Sequence, residues 1–133
     1  MKIEGTCHCG KIAYEAEIDP KNVWLCHCTD CQTLSGTAYR AVVQALGESF
    51  KLVRGEPKTY IKRADSGVRR AHGFCADCGT PIYGSAASQP QSYSLRIGSI
   101  KQRAELWPER QIWWRSALPW TMDLGGIEKA YRQ

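Results

Sequence analysis

The stretch CHCGKIAYEAEID (Cys7–Asp19) combines two patterns that together decide the expected fold. Its first half holds two cysteines one residue apart, followed by a glycine. Its second half alternates apolar and polar residues, which is typical of a strand with one buried face. The residues expected on that face are Ile12, Tyr14, Ala16 and Ile18. The stretch therefore predicts a metal-binding knuckle that leads into a half-buried strand.

A second cysteine pair, also followed by glycine, lies far downstream in CADC (Cys75–Cys78). Residues this close together are poor disulfide partners, whereas their sulfurs converge easily on one metal ion. We expect the two pairs to form a closed structural zinc site. The ligands of this four-cysteine cluster are Cys7, Cys9, Cys75 and Cys78. Metal binding there acts as folding free energy, on the order of 10 kcal/mol. Gly10 and Gly79 suit the turns because they lack a Cβ atom.

The remaining three cysteines lie together in CHCTDC, between a predicted strand and a predicted helical turn. They form the three-cysteine cluster of Cys26, Cys28 and Cys31. A tetrahedral ion with three protein ligands keeps its fourth position for water or substrate, as in catalytic zinc sites. We therefore expect an open, catalytic second zinc site, and two zinc ions per chain.

Other ligand assignments remain open from the residues alone. A histidine could close the second site, and the candidates are His8, His27 and His72. His27 lies between two ligands, so we expect its side chain to point away from their metal, either exposed or supporting the site. A different grouping, Cys7 and Cys9 with Cys28 and Cys31, would leave three scattered cysteines. Iron also binds four cysteines, but zinc is the commoner occupant of paired knuckles.

Compartment and charge narrow the possible functions. The start MKIEGTCHCG lacks the apolar segment of a signal peptide, and no stretch approaches the ~20 apolar residues of a membrane helix. We expect a cytoplasmic protein with reduced thiols and no membrane partner, and the odd count of seven cysteines also argues against a disulfide framework. The net charge of +5 is mild, and the densest basic run, Ile61–His72, is expected to be a solvated hairpin. Nucleic acid is therefore not the expected partner.

Length and turn spacing predict one mainly β domain over residues 1–133, a sandwich or small open barrel of antiparallel strands. Short β-type runs alternate with Gly, Pro, Ser and Asp turn residues. The expected strands are residues 11–19, 22–28, 37–44, 49–55, 58–64, 68–74 and 92–98. Short helical turns are expected at residues 30–36 and 126–132.

Of the five tryptophans, Trp24 lies near the start of the chain and the other four lie near its end, in ELWPERQIWWRSALPW (Glu105–Trp120). We expect them to pack in the core or in a lid, with lining of a substrate pocket as the alternative. Pro108 and Pro119 make this segment an irregular strap rather than a helix. A strap laid over an open metal site would exclude water from it.

Four motifs together, CHCGKI, CHCTDCQTLSG, FCADCGTPI and QIWWRSALPW, resemble the glutathione-dependent formaldehyde-activating enzyme family, which has centromere protein V among its relatives. The resemblance implies a β-tent fold, a structural zinc on the four-cysteine cluster, and a second zinc with glutathione at the three-cysteine cluster. It also implies a carbon–sulfur lyase activity like that of S-(hydroxymethyl)glutathione synthase. Many members have histidine where this chain has Gln111, a departure that bears on the exact reaction.

The expected charge of the open site favours thiol chemistry. Three thiolates and Zn²⁺ sum to −1, so the ion suits binding a thiol better than generating hydroxide, and it favours the thiolate form. That sulfur could attack a small electrophile such as formaldehyde. Glutathione also has two carboxylates, for which four basic residues are candidates, each with a solvated surface role as the alternative. They are Arg40, Arg96, Lys101 and Arg103.

Asp30, inside the metal loop, is expected either to support the site or to cap the turn that follows. The main alternative to an enzyme is a non-catalytic zinc module that binds protein or nucleic acid.

Overall fold

A computed structural model describes all residues, 1–133, and is built on one connected set of nine strands. The strands are β1 (Lys2–Thr6), β2 (Ala13–Cys26), β3 (Arg40–Ala45), β4 (Lys51–Arg54), β5 (Lys58–Arg63), β6 (Arg69–Phe74), β7 (Pro81–Ala86), β8 (Ser94–Arg96) and β9 (Arg110–Ile112). One α-helix, α1 (Thr29–Ser35), follows β2, and three single turns of 3-10 helix span Ile97–Ser99, Arg103–Glu105 and Trp114–Ser116.

The strands pair in the order β1-β2-β3-β8-β7-β6-β5, and β4 and β9 both pair with β2. Every pairing is antiparallel except that of β2 with β9. The prediction of a mainly β chain with antiparallel strands is therefore confirmed. The long strand β2 is central because it touches β1, β3, β4 and β9, and its last residue, Cys26, belongs to the three-cysteine cluster.

Most predicted strands are present, with one merger. The runs at 11–19 and 22–28 form a single strand, β2, whose pairing with β3 shifts register between Ile18 and Val23. The helical turn expected at 30–36 is α1, displaced by one residue. The remaining expected strands correspond to β3, β4, β5, β6 and β8.

Three strands were not predicted, and one predicted helical turn is wrong. The missed strands, β1, β7 and β9, are short, or contain Gly or Pro, so they lack a strong alternating pattern. Residues 126–132 contain no helix. This segment is exposed, and a helix of so few residues is unstable without packing.

The core forms where the predicted face of β2 packs against the rest of the sheet. Ile12, Tyr14, Ala16 and Ile18 are all buried, as predicted. The Tyr14 hydroxyl lies 2.7 Å from Ser99 Oγ, which satisfies its hydrogen-bonding capacity in the interior.

The four tryptophans of the tail do not enter this core, so the core packing expected for them is wrong. Trp107 is 75% exposed, and Trp113, Trp114 and Trp120 are each more than half exposed. The tail joins the sheet through the three-residue strand β9 and buries Leu106 in the core, but these tryptophan side chains stay on the surface.

Candidate active site

The four-cysteine cluster has the spacing of a tetrahedral zinc site. Its four sulfurs lie within 4.8 Å of one another. The sulfur of Cys9 is 3.6 Å from that of Cys7 and 3.7 Å from that of Cys75. Tetrahedral zinc with Zn–S bonds of about 2.3 Å needs sulfurs about 3.8 Å apart. The residues present therefore fit a closed zinc site.

Two turns with the same design hold these ligands. Gly10 and Gly79 have φ values of 79° and 76°, in the left-handed region that favours glycine. Their N–H groups donate to the carbonyl oxygens of Cys7 (3.1 Å) and Cys75 (2.8 Å). Each turn thus folds back on its first cysteine and directs the sulfurs inward.

Polar contacts favour the thiolate forms that a metal requires. The Ile12 N–H donates to Cys7 Sγ at 3.2 Å. The Thr80 hydroxyl, 3.2 Å from Cys78 Sγ, is the main cause that lowers the pKa of Cys78 to about 5. These contacts prepare the cluster for a cation before one binds.

The three-cysteine cluster forms where β2 ends and α1 begins. The sulfurs of Cys26, Cys28 and Cys31 lie within 4.8 Å of one another, and no histidine or carboxylate joins them. Cys28 is the N-cap of α1, and its sulfur accepts the Cys31 N–H at 3.3 Å. This donor set also fits zinc, with three protein ligands rather than four.

Hydrogen bonding and a nearby cation polarise this cluster. The pKa of Cys26 is lowered to about 5, chiefly because Cys31 donates a hydrogen bond to its sulfur. The same hydrogen bond raises the pKa of Cys31. The positive charge of Arg40, which faces Cys26 across the β2–β3 pairing, favours both thiolates. One thiolate is therefore present near neutral pH.

The tail is joined to the metal loop through His27. His27 is fully buried, so it is not an exposed imidazole, and its Nε2 lies 2.7 Å from Gln111 Oε1. Its ring packs edge-on against Trp114, with ring centroids 5.2 Å apart. The Gln32 side chain donates to the carbonyl oxygens of His27 and Ser116, at 2.9 and 3.0 Å. The strap predicted from the tryptophan-rich sequence therefore lies against the loop that holds the three cysteines.

His8 and Asp30, which the sequence placed near the metal ligands, do not belong to either cysteine cluster. His8 is exposed. Asp30 forms an ion pair with Lys62 of β5, which ties α1 to the opposite end of the sheet. Asp30 does not cap the helix, because Cys28 has that role.

All four candidate basic residues line one cavity of about 680 Å³, the larger cavity. Arg40 and Arg96 are only 9% and 8% exposed, so the solvated surface role is wrong for these two. Lys101 and Arg103 are exposed at its rim. Lys101 pairs with Glu4 at 3.0 Å, and Arg103 donates to the Ile100 carbonyl oxygen at 3.2 Å.

Arg40 and Arg96 are buried cations without a carboxylate partner. Neither takes part in an ion pair. Burial and the charge of Arg40 lower the pKa of Arg96 to about 9. The Arg96 guanidinium lies over Gly84, where a Cβ atom would come within 2.6 Å of its Nη2. Buried charges normally have partners, so this pair is suited to an anion.

Comparison with known proteins agrees with these features. Residues 2–116 match the family described as glutathione-dependent formaldehyde-activating enzyme. The chain belongs to this family. The matched range includes both cysteine clusters and the tail through the 3-10 turn at Trp114–Ser116.

A solved structure extends the comparison to the fold. A Rhodobacter sphaeroides protein, determined as a structural-genomics target, is 21% identical, with a TM-score of 0.63 over 81% of this chain and 98% of that one. At 21% identity this likeness supports the fold of the chain and nothing about its activity. No curated protein matches the chain significantly. None of its helices has the length and apolar character needed to cross a membrane.

In this member of the formaldehyde-activating enzyme family, the sequence indicated His72 only as a possible metal ligand, and the structure places it elsewhere. His72 belongs to neither cysteine cluster. Its Nδ1 lies 3.2 Å from Arg96 Nη2, and its Nε2 is buried without a partner. The available signal was a histidine on a predicted strand just before the FCADC knuckle. That signal does not reveal that Arg96 of β8 contacts His72.

Proposed function

We propose that this protein is a zinc-dependent enzyme that joins glutathione to the carbonyl carbon of a small aldehyde such as formaldehyde, or cleaves that adduct. Family membership supports glutathione and formaldehyde chemistry. One observation carries the proposal. The three-cysteine cluster has no fourth protein ligand, and the Arg40 that faces it also lines the larger cavity with three more basic side chains.

The three-cysteine cluster would hold the catalytic zinc. Bound there, zinc would favour the deprotonated form of a coordinated thiol and so provide a nucleophile at neutral pH. Three thiolates and Zn²⁺ sum to −1, and a fourth thiolate would bring the total to −2. Arg40 and Arg96 carry two positive charges, which would offset it.

The larger cavity is where we place the rest of glutathione. Its volume of about 680 Å³ lies within the range of small-molecule sites. Glutathione has a carboxylate at each end, and the four basic residues are divided between the cavity interior and its rim. Arg40 and Arg96 would bind one carboxylate inside, and Lys101 and Arg103 the other at the rim.

The reaction itself needs no redox change. The glutathione sulfur bonds to the aldehyde carbon, the carbonyl π bond breaks, and the oxygen takes a proton from solvent while the thiol proton is lost to solvent. The reverse sequence cleaves the carbon–sulfur bond, which makes the activity that of a carbon–sulfur lyase. Because the tail lies against the metal loop, Trp114 and Gln111 would limit the access of water.

The four-cysteine cluster would hold a second, structural zinc. Its ligands come from the β1–β2 and β6–β7 turns, so the ion would join distant parts of the chain. All seven cysteines are free thiols, which suits a reducing cytoplasmic compartment where glutathione is available.

Adduct formation measured with and without the protein tests the proposal. We expect the wild type to accelerate the reaction of formaldehyde with glutathione, and Cys28→Ser to lose about 100-fold or more of kcat/KM because a metal ligand is missing. Thr33→Ala, an exposed change on the same helix, is the matched control and should retain activity.

Metal content and the response to glutathione together separate this proposal from the non-catalytic zinc module. The enzyme should contain two zinc ions per chain, and glutathione should change the thiolate charge-transfer spectrum of the cobalt-substituted protein. Two bound ions with no spectral response and no acceleration would contradict the enzyme and favour the module.

A further inference from the structure

A second, smaller cavity of about 350 Å³ is also lined by the Arg40 and Arg96 pair. The two cavities share Arg40, Pro81 and Arg96. His72 lines only the smaller one. Its other walls are largely aromatic, from Tyr60, Phe74 and Tyr83. The guanidinium pair therefore lines both cavities and can offer N–H donors to a ligand in either one.

The hydrogen bond with Arg96 fixes the protonation of His72. A guanidinium is only a donor, so the His72 Nδ1 at 3.2 Å must accept. The neutral ring then has its hydrogen on Nε2, which is buried without a partner. A buried donor without an acceptor is unfavourable, and a ligand oxygen would relieve it.

The charges around His72 keep it neutral. Burial lowers its pKa to about 4, and the positive charges of Arg96, Arg40, Lys62 and Arg70 add to that effect. No carboxylate forms an ion pair with Arg40 or Arg96. A neutral histidine fixed in this way is a hydrogen-bond donor and not a proton source.

The smaller cavity thus offers two guanidinium groups and one N–H donor, with aromatic walls. Its complement is a small anion with several acceptor oxygens.

We propose that the smaller cavity binds the carboxylate of the electrophile, and that the substrate is an anionic aldehyde of the oxo-acid class rather than formaldehyde alone. This inference rests on the proposed function. Because Arg40 and Arg96 line both cavities, the carboxylate of the electrophile would bind next to glutathione. A substrate without a carboxylate would leave the buried His72 N–H without an acceptor, which discriminates against it.

The bonds that form and break are the same as in the reaction with formaldehyde. The thiolate sulfur bonds to the aldehyde carbon of the oxo acid, the carbonyl oxygen takes a proton from solvent, and the carboxylate is unchanged. The product is a hemithioacetal that carries the extra negative charge. Arg40, Arg96 and the His72 N–H hold that charge and take no part in bond making.

Glyoxylate and its neutral methyl ester test the inference with glutathione as the thiol. We expect kcat/KM for glyoxylate to exceed that for the ester by about tenfold or more. His72→Leu should lower the glyoxylate value about tenfold and the ester value by less than about twofold. His72→Gln, which keeps an N–H donor at that distance, should retain most of the activity. Arg69→Gln is the charge control, because Arg69 is exposed on the same strand.

Equal kcat/KM values for the two aldehydes would overturn the inference. So would an equal loss on both aldehydes in His72→Leu, because that indicates a structural role only.

Binding of a carboxylate without reaction provides a second readout. Acetate added to the zinc-loaded protein should shift the His72 Nε2 signal in ¹⁵N NMR. If S-methylglutathione shifts that signal and acetate does not, the cavity serves glutathione and the inference is wrong. Failure of every aldehyde to react would overturn the proposed function, and the acetate titration would still decide whether the smaller cavity binds carboxylates.

Discussion

The four-cysteine and three-cysteine clusters use the same ligand atom in different parts of the fold. The four-cysteine cluster joins two turns that are far apart in sequence, and Cys7 and Cys75 belong to the hydrophobic core. The three-cysteine cluster lies within one short stretch, outside that core, and is supported by the tail. An ion that joins distant segments stabilises the fold more than one that closes a short loop. A structural site and a catalytic site therefore differ in the number of protein ligands and also in whether those ligands come from distant segments or from one loop.

The largest expected effect comes from removing one ligand of each cluster. Cys75→Ser should unfold the chain, since the free energy that a structural zinc supplies, on the order of 10 kcal/mol, is comparable to the whole stability of a domain. Cys28→Ser should keep a cooperative thermal transition within a few degrees of the wild type. Circular dichroism melts with zinc analysis measure both. Equal instability of the two variants would contradict the division of roles.

A smaller effect is expected from Gly5→Ala, next to the four-cysteine cluster. A Cβ atom at Gly5 would lie 2.0 Å from the buried Tyr14 ring, so the strand or the ring must move. Overpacking of this kind costs about 1–3 kcal/mol of unfolding free energy. Urea unfolding should detect the loss, and Gly125→Ala, which meets nothing within 4 Å, should show none. Retained stability in Gly5→Ala would mean that this edge of the core is loosely packed.

The smallest effect, confined to the other cluster, is expected from Gln111→Leu. The change removes the partner of the buried His27 Nε2 and should cost about 1 kcal/mol. Because His27 lies between two ligands, zinc should leave the three-cysteine cluster more easily, while the four-cysteine cluster keeps its ion. Competition with a chromophoric chelator resolves the two ions, and Gln111→His, which keeps a polar partner, is the control. Equal weakening of both sites would show that the tail supports the whole fold and not this loop.

Much of the fold was predictable because its pattern is local. Alternation along β2 identified the face that is buried, and Gly10 and Gly79 marked turns that need a left-handed residue. The exposure of the tryptophans was not predictable, since large apolar side chains are usually packed and only the tail's path shows otherwise. The helical turn predicted at 126–132 was wrong for a related reason, because a short helix is stable only when it packs against a surface.

The sequence by itself determined which cysteines group together, because close spacing restricts where sulfurs can point and glycine marks the turns that bring them inward. Only the tertiary structure decided the surroundings of the clusters. Arg40 and Arg96 became buried, and His72 met Arg96, through the pairing of strands that are distant in sequence. A charge becomes costly, and so demands a partner, only when the fold removes it from water. For that reason the sequence showed which cysteines are candidate ligands and which basic residues are candidates for an anion, but it did not show that Arg40 and Arg96 are buried.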